Sequence, residues 1–408
     1  MTYEKAREYL ESINQAQILR FYGDLSPAAQ QNLLARVETT DFSVLENLSL
    51  HADLSGKGKI EPMAGLSLAE IQDRRDEFFA IGKEAIKKGK VGAVLLAGGQ
   101  GTRLGFDGPK GAYNIGIKKS LLIFEQQVKN LSEVTKACGA FVPLYIMTSE
   151  INHAATVQCW QENGFFGYPQ EYVRFFVQEM APACDFSGKV LLADKGEIAL
   201  SPNGNGGWFS SMEKAGLLKD VQSRGIEWLN AYAVDNVLQR IADPVFIGAT
   251  IESGKNCGAK VVSKVAPEER VGVLCLQDGK PNIIEYYEMD EETANLRDEK
   301  GDLQYRFGVI LNYLFNVDKA FSILNERIPV HVVKKKVPYI DETGEKIEPK
   351  EPNAYKFETL ILDMIRLMDT CLPFEVDRTR AFAPVKNATG TDSVESAREL
   401  LKRNGVEL

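Results

Sequence analysis

Val91-Gly92-Ala93-Val94-Leu95-Leu96-Ala97-Gly98-Gly99-Gln100-Gly101-Thr102-Arg103-Leu104-Gly105, with Pro109-Lys110-Gly111 close behind, decides how the rest of the chain reads. Its first seven residues are an apolar run cut off by glycine, the pattern of a buried central strand. The chain must then turn sharply. Four glycines between positions 98 and 105 permit positive φ and leave no Cβ between backbone and ligand, so consecutive N–H groups can face an anion. Arg103 and Lys110 add positive charge, the arginine as a planar fork suited to phosphate oxygens. The segment is a phosphate cradle in outline. It is neither of two better-known glycine loops. A dinucleotide fingerprint needs glycine where Leu104 stands, and a P-loop needs Gly-Lys-Ser/Thr five residues after Gly98 or Gly99.

Outward from this stretch, apolar runs alternate with amphipathic helical patterns, which predicts a largely parallel sheet covered on both faces. Strands are expected at 91–97, 142–148, 172–178, 228–234, 244–250, 258–265 and 271–276, and helices near 119–131 and 151–163. In an open α/β sheet, ligand groups come from loops at the carboxyl ends of the strands. Gln178 closes one such strand, and its amide can match the N3–H and a carbonyl of uracil. Pro202-Asn203-Gly204-Asn205-Gly206-Gly207 reads either as a hairpin or as a loop allowing close backbone approach to a flat ligand. Asp235 ends another strand. It is either a helix N-cap or a carboxylate holding Mg²⁺ against phosphate oxygens. Glu285-Tyr286 follows Ile283-Ile284, where a carboxylate can accept hydrogen bonds from sugar hydroxyls or simply sit on an edge strand. Lys356 and Lys386 are ordinary surface lysines on spacing alone.

Residues 1–89 read as short helices, with start signals at Ser26-Pro27 and Asp41 and apolar positions Ile18, Leu19, Tyr22, Leu33, Leu34 and Val37. Gly56-Lys57-Gly58-Lys59 and Pro62-Met63-Ala64-Gly65 read as loops, and 392–408 as a short helix ending at Asn404-Gly405. The expected division is 1–89 helical, 90–330 catalytic core and 331–408 a closing part. The net charge of −9 excludes a nucleic-acid binder working through a general positive field, so anionic substrates must be met by local basic residues. Six cysteines without a CxxC pair, and three histidines, form no zinc set and fit buried thiols of a reducing compartment. The charged start Met1-Thr2-Tyr3-Glu4-Lys5 and the lack of any long apolar run lead to the expectation of a cytoplasmic protein without a membrane partner.

The glycine loop resembles the signature of the sugar nucleotidyltransferases, specifically the eukaryotic-type UDP-N-acetylhexosamine (UDP-N-acetylglucosamine) pyrophosphorylases. The likeness continues in family order through Gln178-Glu179-Met180-Ala181-Pro182, Pro202 to Gly207, Ala233-Val234-Asp235-Asn236, Val271-Gly272-Val273, Glu285-Tyr286, His331 to Asp341 and Phe382-Ala383-Pro384-Val385-Lys386-Asn387. It implies an α/β, GT-A-like Rossmann-type fold with a mixed, mostly parallel sheet, an N-terminal helical region and a short C-terminal region. By this resemblance Leu96, Ala97, Gly98, Gly99, Gln178 and Gly204 surround the uridine, and Arg103, Lys110 and Lys356 serve the phosphates. Asp235 would hold Mg²⁺, and Asn205, Gly272, Glu285, Tyr286 and Lys386 lie on the sugar-phosphate side. Where relatives commonly have Gly-Asn in the sugar pocket, this chain has Gly308-Val309, which removes an amide and leaves the sugar open. Larger eukaryotic members continue into a further β-rich domain, so the oligomeric state is left open too.

The expected reaction joins UTP and N-acetylglucosamine 1-phosphate to UDP-N-acetylglucosamine and diphosphate, reversibly. The expected partners are these small molecules. A phosphate monoester is already a nucleophile, so no Ser, Cys or His nucleophile is required. The rivals are a pyrophosphorylase preferring glucose or galactose 1-phosphate, a non-catalytic UDP-sugar-binding regulator, and a nicotinamide-dependent oxidoreductase, the last disfavoured by the glycine spacing.

Overall fold

The computed structural model describes residues 1–50, 58–324, 326 and 328–408; the loop expected at Gly56-Lys57 lies outside them. The chain forms two compact units. One comprises Met1–Lys57, Glu179–Gly207 and Arg327–Ile361, and the other Gly58–Gln178, Trp208–Glu326 and Leu362–Leu408. The boundaries expected at 89/90 and 330/331 follow the sequence, whereas packing draws together segments far apart in it.

The larger unit is built on a ten-stranded sheet. Its strands are β1 (Ile60–Glu61), β2 (Val91–Leu96), β3 (Leu144–Thr148), β4 (Val173–Val177), β5 (Trp228–Ala233), β6 (Cys257–Ser263), β7 (Val273–Gln277), β8 (Lys280–Ile284), β9 (Phe307–Asn316) and β10 (Cys371–Glu375). The main path runs β1-β7-β9-β5-β2-β3-β4, with β6 pairing β9 and β10, and β8 pairing β7. From β5 through β2 and β3 to β4 the pairing is parallel. Every residue of β2 is buried. Since successive side chains point to opposite faces, both faces of this strand are covered, which is why it reads as a continuous apolar run.

Strands β1, β8 and β10 fall outside the expected list, and two further elements differ from expectation in ways that shape the sheet. Residues 244–250 form a helix, not a strand: Asp243 accepts a hydrogen bond from Val245 N–H at 3.2 Å, Pro244 takes the first turn, and the helix runs Pro244–Glu252. Seven of its residues are buried, so its apolar run has no polar face to mark the helical period. The second is β9, unanticipated. It is antiparallel to β5, β6 and β7 and makes the sheet mixed. Its pairing with β6 slips between Ala259 and Val261, where Leu311 adopts φ 51°.

Helices α1 (Arg75–Lys87), α2 (Ile123–Cys138), α3 (His153–Glu162), α4 (Pro244–Glu252) and α5 (Val394–Arg403) pack their apolar residues on this sheet. Helices α1 and α4 cross at glycine: a Cβ on Gly82 would run into Pro244 O, and one on Gly248 into Phe78 O. Lys260 of β6 is 2 % exposed, and its ammonium donates to Arg240 O at 3.0 Å and to Asp243 Oδ2 at 2.9 Å. Two hydrogen bonds and a counter-charge satisfy a cation that would otherwise be costly to bury.

In the smaller unit, Ser26 caps the helix Pro27–Thr39, with Pro27 in its first turn. Leu10, Ile18, Leu33, Val37 and Phe42 from the first 50 residues share one core with Ala181, Leu192, Ile198, Ile340 and Phe357. The N-terminal helices are therefore half of a core whose other half arrives much later in the chain. No described helix is long and apolar enough to cross a membrane.

Candidate active site

Beyond Leu96 the chain leaves the sheet but stays tied to its neighbours. Ala97 N–H still donates to Met147 O at 2.8 Å. Gly101 N–H then donates to Gly108 O at 2.9 Å and Lys110 N–H to Gly99 O at 3.1 Å, closing the segment into a loop across the bridge Gln100–Pro109. The N–H groups of Gly98, Gly99 and Gln100 take no partner among the described residues. Three successive donors are left for something other than the protein. Gly98 cannot be replaced without disturbance, because a Cβ there would sit 2.9 Å from Gln178 Oε1. Gln178 is 7 % exposed. Its backbone N–H continues the sheet ladder to Thr148 O at 2.8 Å, which lays its amide against the glycine turn.

Asp235 lies just beyond β5, the strand beside β2. No helix starts there, which removes the N-cap reading; the following turn is instead held by side-chain amides of α2. Gln127 Nε2 of α2 donates to Val234 O at 3.1 Å and Asn236 O at 2.8 Å. Asn130 donates to Val237 O and Gln239 O, both at 3.0 Å. On the other side Val385 N–H donates to Asp235 O at 2.9 Å, and Asn236 binds Ala381 O and Ala383 N–H at 2.8 and 2.9 Å. These bonds bring Lys386 to the same place as Asp235.

A cluster of opposite charges results. Lys110 Nζ lies 3.8 Å from Asp235 Oδ2, with the two side chains 17 % and 21 % exposed. Burial pushes the Lys110 ammonium below the usual lysine range. Asp235 opposes that, while Arg103 and Lys386 push it further down. Arg103 is exposed, without an ion pair among the described residues, and Lys386 is paired with Asp392 at 3.0 Å. Three cations, Arg103, Lys110 and Lys386, against two carboxylates, Asp235 and Asp392, leave an excess of positive charge, suited to an anion.

A second group forms where β7, β8 and β9 meet. Val309 N–H donates to Gly272 O at 2.9 Å, and a Cβ on Gly272 would lie 3.4 Å from Val309 Cγ2 and 3.7 Å from Glu285 Oε1. Gly272, Glu285 and Val309 are thus neighbours. Tyr286 is exposed, its ring 5.3 Å from that of Tyr287 and 6.0 Å from the Arg270 guanidinium. A cavity of about 620 Å³ elsewhere in this unit, lined by residues including Arg75, Asp243 and Lys260, contains none of the expected site residues.

Gly204, Asn205 and Lys356 belong to the smaller unit. Gly204 has φ 88°, and a Cβ on it would strike Thr359 O, so this glycine is required by the protein's own chain. Asn205 Oδ1 accepts from Ile361 N–H at 3.0 Å. Lys356, on the strand Ala354–Thr359 opposite Val333, is half-buried, and burial lowers its ammonium despite Glu358.

The sequence reading passed over the amides that hold these loops: Asn152 behind the glycine turn and Gln127 and Asn130 behind Asp235. A trace existed. Gln127 stands four residues after Ile123 and four before Leu131, on the apolar side of the helical pattern, and Asn152 lies just beyond the strand expected at 142–148.

A family profile described as UTP–glucose-1-phosphate uridylyltransferase matches residues 59–404. The chain belongs to that family. Among its relatives, human UDP-N-acetylhexosamine pyrophosphorylase-like protein 1 is 36 % identical over 98 % of this chain and 83 % of its own. Saccharomyces cerevisiae UDP-N-acetylglucosamine pyrophosphorylase is 36 % identical over 95 % and 86 %. The crystal structure of the Trypanosoma brucei uridine diphosphate N-acetylglucosamine pyrophosphorylase superposes with a TM-score of 0.84 at 28 % identity, covering 98 % of this chain and 84 % of that one. This member of the uridylyltransferase family is accordingly a nucleotidyltransferase, with the α/β fold of the UDP-sugar pyrophosphorylases.

Proposed function

We propose that the chain transfers a uridylyl group reversibly, converting UTP and N-acetylglucosamine 1-phosphate to UDP-N-acetylglucosamine and diphosphate. The observation that carries this reading is the Arg103, Lys110, Lys386 and Asp235 cluster beside three unpartnered loop amides. A sugar 1-phosphate oxygen attacks the α-phosphorus of UTP in line, the bond to the oxygen bridging the α- and β-phosphorus breaks, and diphosphate leaves. Arg103 and Lys110 neutralise the charge gathering on the phosphates, with Lys356 and Lys386 as further phosphate ligands. Gln178 and the Leu96 to Gly99 backbone receive the uracil. Gly272 and Glu285 receive the sugar.

Among the described residues no group of three or more His, Cys, Asp or Glu side chains could cage a metal ion. Asp235 nevertheless suits Mg²⁺, which is commonly held by one or two carboxylates with substrate phosphates completing its shell. When bound, Mg²⁺ would supply charge neutralisation at the phosphate oxygens. The six free cysteines, five of them buried, support a reducing, cytoplasmic setting.

A second reading, preference for glucose or galactose 1-phosphate, is favoured by Val309, an apolar side chain next to Gly272 and Glu285. Pyrophosphate release with UTP and Mg²⁺, measured against N-acetylglucosamine, N-acetylgalactosamine, glucose and galactose 1-phosphates in turn, decides between them. N-acetylglucosamine 1-phosphate is expected to be fastest. Release with none of the four would leave a UDP-sugar-binding regulator.

A further inference from the structure

Asn152 stands at the N-terminus of α3, where an asparagine ordinarily caps its own helix. It does not do so here. Fully buried, it accepts from Ser149 N–H at 2.8 Å through Oδ1 and donates through Nδ2 to Ala97 O at 3.0 Å and Gly99 O at 3.2 Å. Its three partners fix which way the amide faces. In a trans peptide the carbonyl and the following N–H point in opposite directions. Pulling Ala97 O and Gly99 O towards Asn152 therefore turns the Gly98 and Gln100 N–H groups away from it, and these are two of the three donors without a partner among the described residues. One carboxamide thus holds two peptide planes, the second together with Lys110 N–H, in a stretch where glycine would otherwise let them rotate.

We infer that Asn152 is a positioning residue for nucleotide binding: it touches no substrate and presets the glycine-turn amides that do. The inference rests on the nucleotide-binding reading above. Preorganised donors bind without reorganising at the moment of need, so loosening them weakens the ligand they face.

The test uses Asn152→Asp, which keeps the oxygen facing Ser149 N–H but sets a carboxylate against two carbonyls, and Asn152→Ala, which removes the donors without adding charge. For whichever variant folds with a wild-type thermal midpoint, KM for UTP is expected to rise about tenfold, the size of one lost hydrogen bond. KM for the sugar 1-phosphate at saturating UTP stays within about twofold of wild type. An unchanged KM for UTP, or equal rises for both substrates, would overturn the inference. A wild-type chain that turns over none of the four sugar phosphates defeats the catalytic reading instead. The inference is then read by UTP titration calorimetry, where it requires about tenfold weaker binding in the variants and is refuted by equal binding.

Discussion

Arg103 and Lys110 are both cations of the glycine loop, yet their surroundings make them behave differently. Arg103 is exposed and unpaired among the described residues, so its removal leaves no buried charge behind. Arg103→Ala is expected to melt like the wild type and to lose about a hundredfold or more in turnover, the usual cost of one preorganised donor; wild-type turnover in that variant would remove Arg103 from the mechanism. Lys110 is mostly buried, and burial, its largest influence, favours the neutral amine, while Asp235 favours the ammonium and Arg103 and Lys386 disfavour it. The signs follow. Asp235→Asn removes the negative charge that favours the ammonium and lowers the Lys110 titration further, whereas Arg103→Ala raises it. NMR titration of the Lys110 ε-carbon reads both, and activity that needs the ammonium fades at lower pH than for a solvent-exposed lysine. Gly204 shows how a residue type can be legible without all of its reasons: its spacing suggests close approach to a ligand, and the fold adds that a Cβ there would strike Thr359 O.

At the scale of elements, α1 and α4 cross on bare backbone. Gly248→Ala must push a methyl group into Phe78 O, which rotamer changes cannot relieve. The expected loss is about 1–3 kcal/mol, seen as a lower denaturation midpoint in urea; an unchanged midpoint would mean that the crossing is looser than described. The sequence foretold most of the sheet because β2, β3 and β4 carry their signal locally, as short apolar runs ended by turns. It misread 244–250 because a helix buried all round lacks periodic polarity, and overlooked β9 because a strand's membership of a sheet depends on distant partners. The loops at the strand ends were legible for the same reason as the strands. The amides that brace them were not, since a buried asparagine and a solvated one look alike until the fold supplies their partners.

For the whole molecule, the consequence of a core assembled from three sequence segments is that chemistry and stability do not map onto the same residues. The first 50 residues carry no expected site residue, yet Leu10, Leu33 and Val37 pack with Phe357 in one core, and Phe357 adjoins Lys356. Removing residues 1–57 is expected to uncover the apolar faces of the strands at 180–202 and 330–359 and to abolish turnover. Dye binding to exposed apolar surface and pyrophosphate release check the two halves of that statement. A truncated chain that stays folded and active would show that the shared core is dispensable to the strand bearing Lys356.

The concealed ε-amine of Lys260, moored to Arg240 O and Asp243, doubles as a built-in timer. Acylating reagents consume surface lysines at once, but this one, 2 % exposed in the wall of the cavity of about 620 Å³, reacts only when its bonds to the 240–243 turn break. Its rate of labelling, followed by peptide mass spectrometry, therefore clocks how often that wall of the cavity breathes open.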